Sequence, residues 1–147
     1  MRLSTRTRYG TRLLFELAYN YGSGPILLKD IAKRQDISEK YMSKIIILLR
    51  SAGIVTSFRG AKGGYTLAKA PYEIKMRMVI EALEGDVSFI DCTKDAKTCP
   101  RIERCPTRDF LCGMESAMNN YLESETLDTI VENYKRKAGE AGEVYYI

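Results

Sequence analysis

The chain contains no histidine and no tryptophan, and nowhere does an uninterrupted apolar run reach the ~18 residues of a membrane-spanning helix. The missing histidine removes the usual general base, the usual nitrogen partner of cysteine at zinc, and every Ser–His or Cys–His nucleophile pair. Most familiar hydrolytic machinery is thereby excluded, and a non-enzymatic function is expected. The missing apolar run leaves no helix to span a membrane. The opening MRLSTRTRYGTRLL interleaves its cations with its apolar residues, so it lacks a secretory hydrophobic region. A cytoplasmic location without a membrane partner is the expectation.

Its 147 residues suffice for one domain with a sizeable core, or a small domain with an attachment. The net charge of +4 hides an asymmetry: residues 1–80 carry 15 Lys and Arg against 5 Asp and Glu, whereas residues 81–147 carry 8 against 14. Only the first part is suited to meet a polyanion. A mixed solubilising surface would give the same totals, so charge alone does not decide.

Hydrophobic periodicity organises the basic part. Residues 5–22 read as an amphipathic helix, stopped by Gly22-Ser23-Gly24-Pro25. After a short extended stretch from Ile26, a second helix is expected over 28–35. Asp36-Ile37 break it, and Ser38 caps a third helix over 39–52 whose inward stripe is Met42, Ile45, Ile46 and Leu49. Beyond Gly53 the period shortens. Residues 54–58 and 65–68 read as strands, joined by the glycine-rich basic tip Arg59-Gly60-Ala61-Lys62-Gly63-Gly64.

Three helices followed by a hairpin make a winged helix. The predicted fold is therefore mainly α with a small β-hairpin wing, plus a long C-terminal dimerisation helix. Residues 1–85 form the winged helix-turn-helix domain, which closes on an amphipathic helix over 73–84. Residues 86–106 are an irregular cysteine-bearing loop. Residues 107–134 hold the dimerisation helix, with Phe110, Leu111, Met114, Met118, Tyr121 and Leu122 as its apolar stripe, and a short terminal helix capped by Ser124. Residues 135–147, with Gly139 and Gly142, read as a loose tail.

The short turn between the second and third helices has helix-turn-helix spacing. It presents Ser38, Lys40, Tyr41, Ser43 and Lys44, groups able to contact phosphates and base edges in the major groove. At the wing tip Arg59, Gly60 and Lys62 suit close approach, and an arginine on a thin loop matches the narrow minor groove. Each feature alone has a plain structural explanation. Their order within the basic half points to double-stranded DNA.

Four cysteines stand at 92, 99, 105 and 112, separated by six, five and six residues, and none lies elsewhere. Such clustering suits metal or redox chemistry better than a disulfide framework. Structural zinc favours tight C-x2-4-C knuckles, which are absent, whereas wider gaps suit a larger iron–sulfur cluster. A thiol switch or a zinc site stays open as the alternative, and Cys112 also fits the helix stripe as a small apolar residue.

The opening MRLSTRTRYG, Asp30-Ile31-Ala32, Ile37-Ser38, Tyr41, Gly53-Ile54-Val55 and the wing from Arg59 to Tyr65 resemble the IscR-like and NsrR-like branch of the Rrf-type winged-helix regulators. The resemblance covers residues 1 to about 131. It implies a bacterial homodimeric transcriptional regulator, commonly a repressor, with a palindrome-like operator. It also implies that Lys40, Tyr41, Ser43, Lys44, Arg59 and Gly60 face DNA. Position 43, often acidic in IscR, is Ser43 here. Cys92, Cys99 and Cys105 resemble the three cluster-holding cysteines of that branch, with the first gap one residue longer. The fourth ligand departs: the histidine of IscR-like proteins is replaced by Arg108, and the N-terminal aspartate of NsrR-like proteins by Arg8. A guanidinium stays protonated and does not ligate. Cys112, one helical turn after Arg108, is the expected substitute. The cluster would be 2Fe-2S or 4Fe-4S and would report iron–sulfur, redox or nitric oxide status. The alternative is a cluster-independent regulator of cysteine or sulfur metabolism.

Overall fold

The computed structural model describes residues 3–143. Ser4 opens α1 (Thr5–Tyr19), its hydroxyl accepting the Thr7 N–H. The helix ends three residues earlier than periodicity suggested, because Asn20 closes it and Tyr21 and Gly22 turn toward α2 (Leu28–Gln35). Asp36 adopts φ 52, in the left-handed region, and terminates α2. Ser38 then caps α3 (Glu39–Ser51). Met42, Ile45, Ile46 and Leu49 are buried as their spacing predicts.

The wing pairs β1 (Val55–Phe58) antiparallel with β2 (Gly64–Leu67), Val55 opposite Leu67 and Phe58 opposite Gly64. A further backbone edge joins it. The Ile26 N–H donates to the Tyr65 carbonyl at 3.0 Å and the Tyr65 N–H donates to the Ile26 carbonyl at 2.8 Å. Gly64 permits that approach: it holds φ +143, and a Cβ there would stand 2.5 Å from the Ile26 oxygen.

A 3-10 turn at Pro71–Glu73 leads to α4 (Met76–Glu84). This helix begins later than the 73–84 pattern because Ile74 and Lys75 are extended against the α6–α7 junction. There the Met76 N–H reaches the Glu125 carbonyl at 2.9 Å, and the Leu127 N–H reaches the Ile74 carbonyl at 3.0 Å. The cysteine segment is less irregular than expected. It contains α5 (Asp91–Lys94) and 3-10 turns at Ala96–Thr98 and Ile102–Arg104.

The long helix α6 (Arg108–Ser124) buries none of its residues. By contrast, α7 (Leu127–Glu143) returns to the core, with Leu127 at 0% and Val131 at 5% exposure. Two expectations are corrected here. Ser124 ends α6, its hydroxyl donating to the Tyr121 carbonyl at 2.8 Å; the α7 cap is Thr126, whose hydroxyl accepts the Thr129 N–H at 3.2 Å. Residues 135–143, read as part of a loose tail, continue α7, since neither Gly139 nor Gly142 breaks an established helix. Residues 144–147 of that tail lie outside the described residues.

Candidate nucleic-acid interface and cysteine segment

The start of α3 collects Ser38, Lys40, Tyr41, Ser43 and Lys44. Ser38 is committed to capping, accepting the Tyr41 N–H at 3.3 Å. Ser43 turns its hydroxyl back to the Glu39 carbonyl at 2.9 Å. Lys40 and Lys44 are exposed, and Tyr41 is half-buried with its ring edge-on to Tyr9 at 5.8 Å. Tyr41 is thus braced by α1, while the lysines keep their reach.

The wing tip places Arg59, Gly60 and Lys62 in solvent. Gly60 holds φ +104, and the Gly63 N–H closes the turn on the Gly60 carbonyl at 3.0 Å. A Cβ at Gly63 would stand 2.6 Å from the Phe58 oxygen, so the tip is tight and carries little mass beyond its cations. Among the described residues, none of Lys40, Lys44, Arg59 and Lys62 is paired with a carboxylate. Unpaired exposed cations flanking a helix N-terminus are the electrostatic footprint that phosphates require.

Sequence reasoning missed the first turn of α1. Thr5 and Arg6 line a groove with Tyr41, Lys44, Ile45 and Leu48 of α3. The one available signal was the cation density of the opening segment, since no spacing rule links residue 6 to residue 44. That turn is held by Glu84, the last residue of α4. Its Oε1 accepts the Ser4 N–H at 2.8 Å, the Ser4 hydroxyl at 2.6 Å and the Thr7 hydroxyl. Burial pushes the Glu84 carboxyl up, but the bonds from Ser4 and Thr7, with Arg6 nearby, outweigh it and hold it below the usual carboxylate range.

All four cysteines are free and half-buried. Cys92 lies on α5, Cys99 and Cys105 follow the two 3-10 turns, and Cys112 sits on α6 one turn after Arg108. Among the described residues, no group of three or more potential ligands stands assembled for a metal ion. The donor chemistry nevertheless suits an iron–sulfur cluster: four thiols, no disulfide, no competing imidazole. Cys105 lies 3.5 Å from the Thr107 hydroxyl, and bonds from Thr107, then Arg108, hold its thiol below its ordinary value. Among the described residues no helix is long and apolar enough to cross a membrane.

Residues 3–133 match the family profile described as Rrf2, iron-dependent transcriptional regulator. The chain is 41% identical over 133 residues to protein rrf2 of Nitratidesulfovibrio vulgaris, covering 90% of this chain and 89% of that one. It is similar to the solved structure of CymR, the global cysteine regulator of B. subtilis, with TM-score 0.78, 33% identity, and coverage of 90% of this chain and 98% of that one. It is also similar to the structure of T. potens IscR, with TM-score 0.74, 35% identity, and coverage of 91% and 88%. The two solved structures share this chain's mainly helical architecture with a two-stranded wing.

Proposed function

The chain belongs to the Rrf2 family of transcriptional regulators, and from that premise we propose that it is a dimeric, sequence-specific DNA-binding repressor whose operator affinity follows the state of its cysteine segment. The α3 start would enter the major groove, with Lys40, Tyr41, Ser43 and Lys44 facing bases and phosphates and Ser38 shaping the entry. Arg59, Gly60 and Lys62 would follow the adjacent minor groove. The α6 helices of two copies would pair and fix the separation of the two recognition helices, which is why a palindrome-like operator is expected.

One observation carries this reading: the segment bearing Cys92, Cys99 and Cys105 connects Glu84, which pins α1 beside α3, to α6, which carries Cys112 and has no fully buried residue. A change in that segment therefore acts at once on the reading surface and on the pairing helix. Cys92, Cys99, Cys105 and Cys112 would hold an iron–sulfur cluster, either 2Fe-2S or 4Fe-4S. When bound, the cluster supplies a redox-sensitive cross-link that gives the segment two states of different stability. Gain or loss of iron–sulfur, redox or nitric oxide signals would then shift DNA affinity.

A second reading, a thiol switch in a regulator of cysteine or sulfur metabolism, is favoured by a specific observation. The four thiols are free, and among the described residues three ligands are nowhere assembled. Likeness to a cysteine regulator supports it as well. Anaerobic purification with iron and sulfide analysis and an ultraviolet–visible spectrum separates the two. Stoichiometric iron and sulfide with charge-transfer absorption is the expected result. A colourless, iron-free protein that binds operator reversibly with thiol oxidation would establish the second reading instead.

A further inference from the structure

Glu16 is a carboxylate in the buried face of α1, with its side chain 11% exposed. A buried charge is costly unless it is paired and hydrogen-bonded. Both of its partners come from the last turn of α2: Gln35 Nε2 donates to Oε1 at 2.6 Å and Arg34 Nη1 to Oε2 at 3.3 Å. One turn earlier on α1, Arg12 completes the arrangement. Its Nε donates to Gln35 Oε1 at 2.8 Å, and its Nη2 donates to the Gln35 backbone carbonyl at 2.6 Å.

Gln35 is thus held at three points by an i,i+4 pair on a single face of α1. The Arg12 contact also satisfies a carbonyl that the end of α2 leaves without a helical partner, and it brings a cation to the negative end of the helix dipole. Only Asp36 and Ile37 separate Gln35 from Ser38, the cap of α3. The apolar core already holds α2 and α3 against α1 through Ile31, Met42 and Leu49. Apolar contacts are non-directional. Three directional bonds at the residue before the turn add register: they set where along α1 the turn sits and how α3 departs from it.

We infer that Gln35, clamped between Arg12 and Glu16, is a positioning residue for DNA recognition, fixing the seat of the recognition helix without touching DNA itself. This rests on α3 and the wing being the DNA-reading surface. Loss of a positioning residue lowers binding to the correct sequence, where alignment of several side chains is needed, and leaves binding to arbitrary sequence, which phosphate contact dominates, almost intact.

The test uses the full chain, purified anaerobically, and a duplex selected from a random-sequence pool by the wild-type protein, compared with an unselected duplex. Gln35→Met keeps the volume and removes both side-chain bonds, to Glu16 and to Arg12 Nε, leaving only the Arg12 contact with the backbone carbonyl. It is expected to weaken binding to the selected duplex about tenfold, with the salt slope and the unselected duplex unchanged and helical content retained. The double variant Glu16→Gln with Gln35→Glu reverses donor and acceptor while keeping the bond and the Arg12 contact. It is expected to recover most of the lost preference. Wild-type preference in Gln35→Met overturns the clamp, as does equal loss on both duplexes or a changed salt slope. If Lys40→Ala and Arg59→Ala also bind the selected duplex as wild type does, it is the reading surface that has been misassigned.

Discussion

Glu84 holds Ser4 by two bonds to one oxygen, the backbone N–H at 2.8 Å and the hydroxyl at 2.6 Å, joining residues 80 positions apart in the chain. The end of α4 and the start of α1 are far apart in sequence, and the carboxylate welds them beside α3. Because its folded pKa lies below the ordinary carboxylate value, Glu84 contributes stability that is fully present above the unfolded pKa and is lost as pH falls through the folded one.

Glu84→Gln is therefore expected to destabilise the protein by about 1 kcal/mol near neutral pH and to flatten its stability profile on the acid side. Thermal unfolding from pH 7 down to pH 3 measures both. A variant whose unfolding midpoint tracks wild type across that whole range would show that the charge on Glu84 is immaterial.

Gly64→Ala is expected to cost about 1–3 kcal/mol and to loosen the wing, since the site combines a positive φ with a Cβ position 2.5 Å from the Ile26 oxygen. Hydrogen exchange at the Tyr65 amide, which donates to Ile26, should accelerate ahead of exchange in α3.

Much of α3 was legible from local chemistry. Ser38 and Gly53 bracket α3, and its four inward residues follow helical spacing, so short-range rules sufficed. What escaped depends on contacts distant in sequence. Ile26 joins the wing through one residue, too short for an alternating pattern. The start of α4 is delayed by a bridge between Lys75 and Thr126, which no periodicity announces. Leu127 and Val131 read as the stripe of a terminal helix, yet they join the same buried cluster as α1–α4 and the wing. The cysteine spacing was plain, but the turns between the thiols obey no periodic rule.

Arg59→Ala is expected to weaken specific operator binding by about 1–3 kcal/mol if the side chain reads the groove. Lys62→Ala, one phosphate contact at most, should instead weaken all duplexes alike and reduce the salt slope by about 1. Titrations at several salt concentrations, on selected and unselected duplexes, distinguish these behaviours; unchanged affinity in Arg59→Ala removes the wing from the interface.

Cys112→Ala is expected to lose or destabilise the cluster while leaving the fold intact, because Cys112 is only half-buried on a helix with no fully buried residue. Iron content and absorbance of the anaerobically purified variant measure this. A fully loaded variant would assign the fourth position to another residue.

The dimer prediction follows from an imbalance within the C-terminal part. On α6, Phe110, Met114 and Tyr121 fall on one helical face and are 70%, 41% and 64% exposed. Leu122, on another face of α6, packs partly against the core, but this exposed stripe has no partner in its own chain, and an isologous pairing of two α6 helices supplies one. Phe110→Lys with Met114→Lys is expected to give a monomer by sedimentation whose core unfolds close to the wild-type temperature. Operator affinity should fall by at least about tenfold, as two tethered half-site contacts become independent. Leu127→Ala should behave oppositely. Leu127 is fully buried where α7 completes the core, so its truncation is expected to cost about 2–5 kcal/mol of fold stability without first dissociating the dimer. A double-lysine variant that stays dimeric would move the pairing surface off α6, and with it the route by which the cysteine segment sets the spacing of the recognition helices.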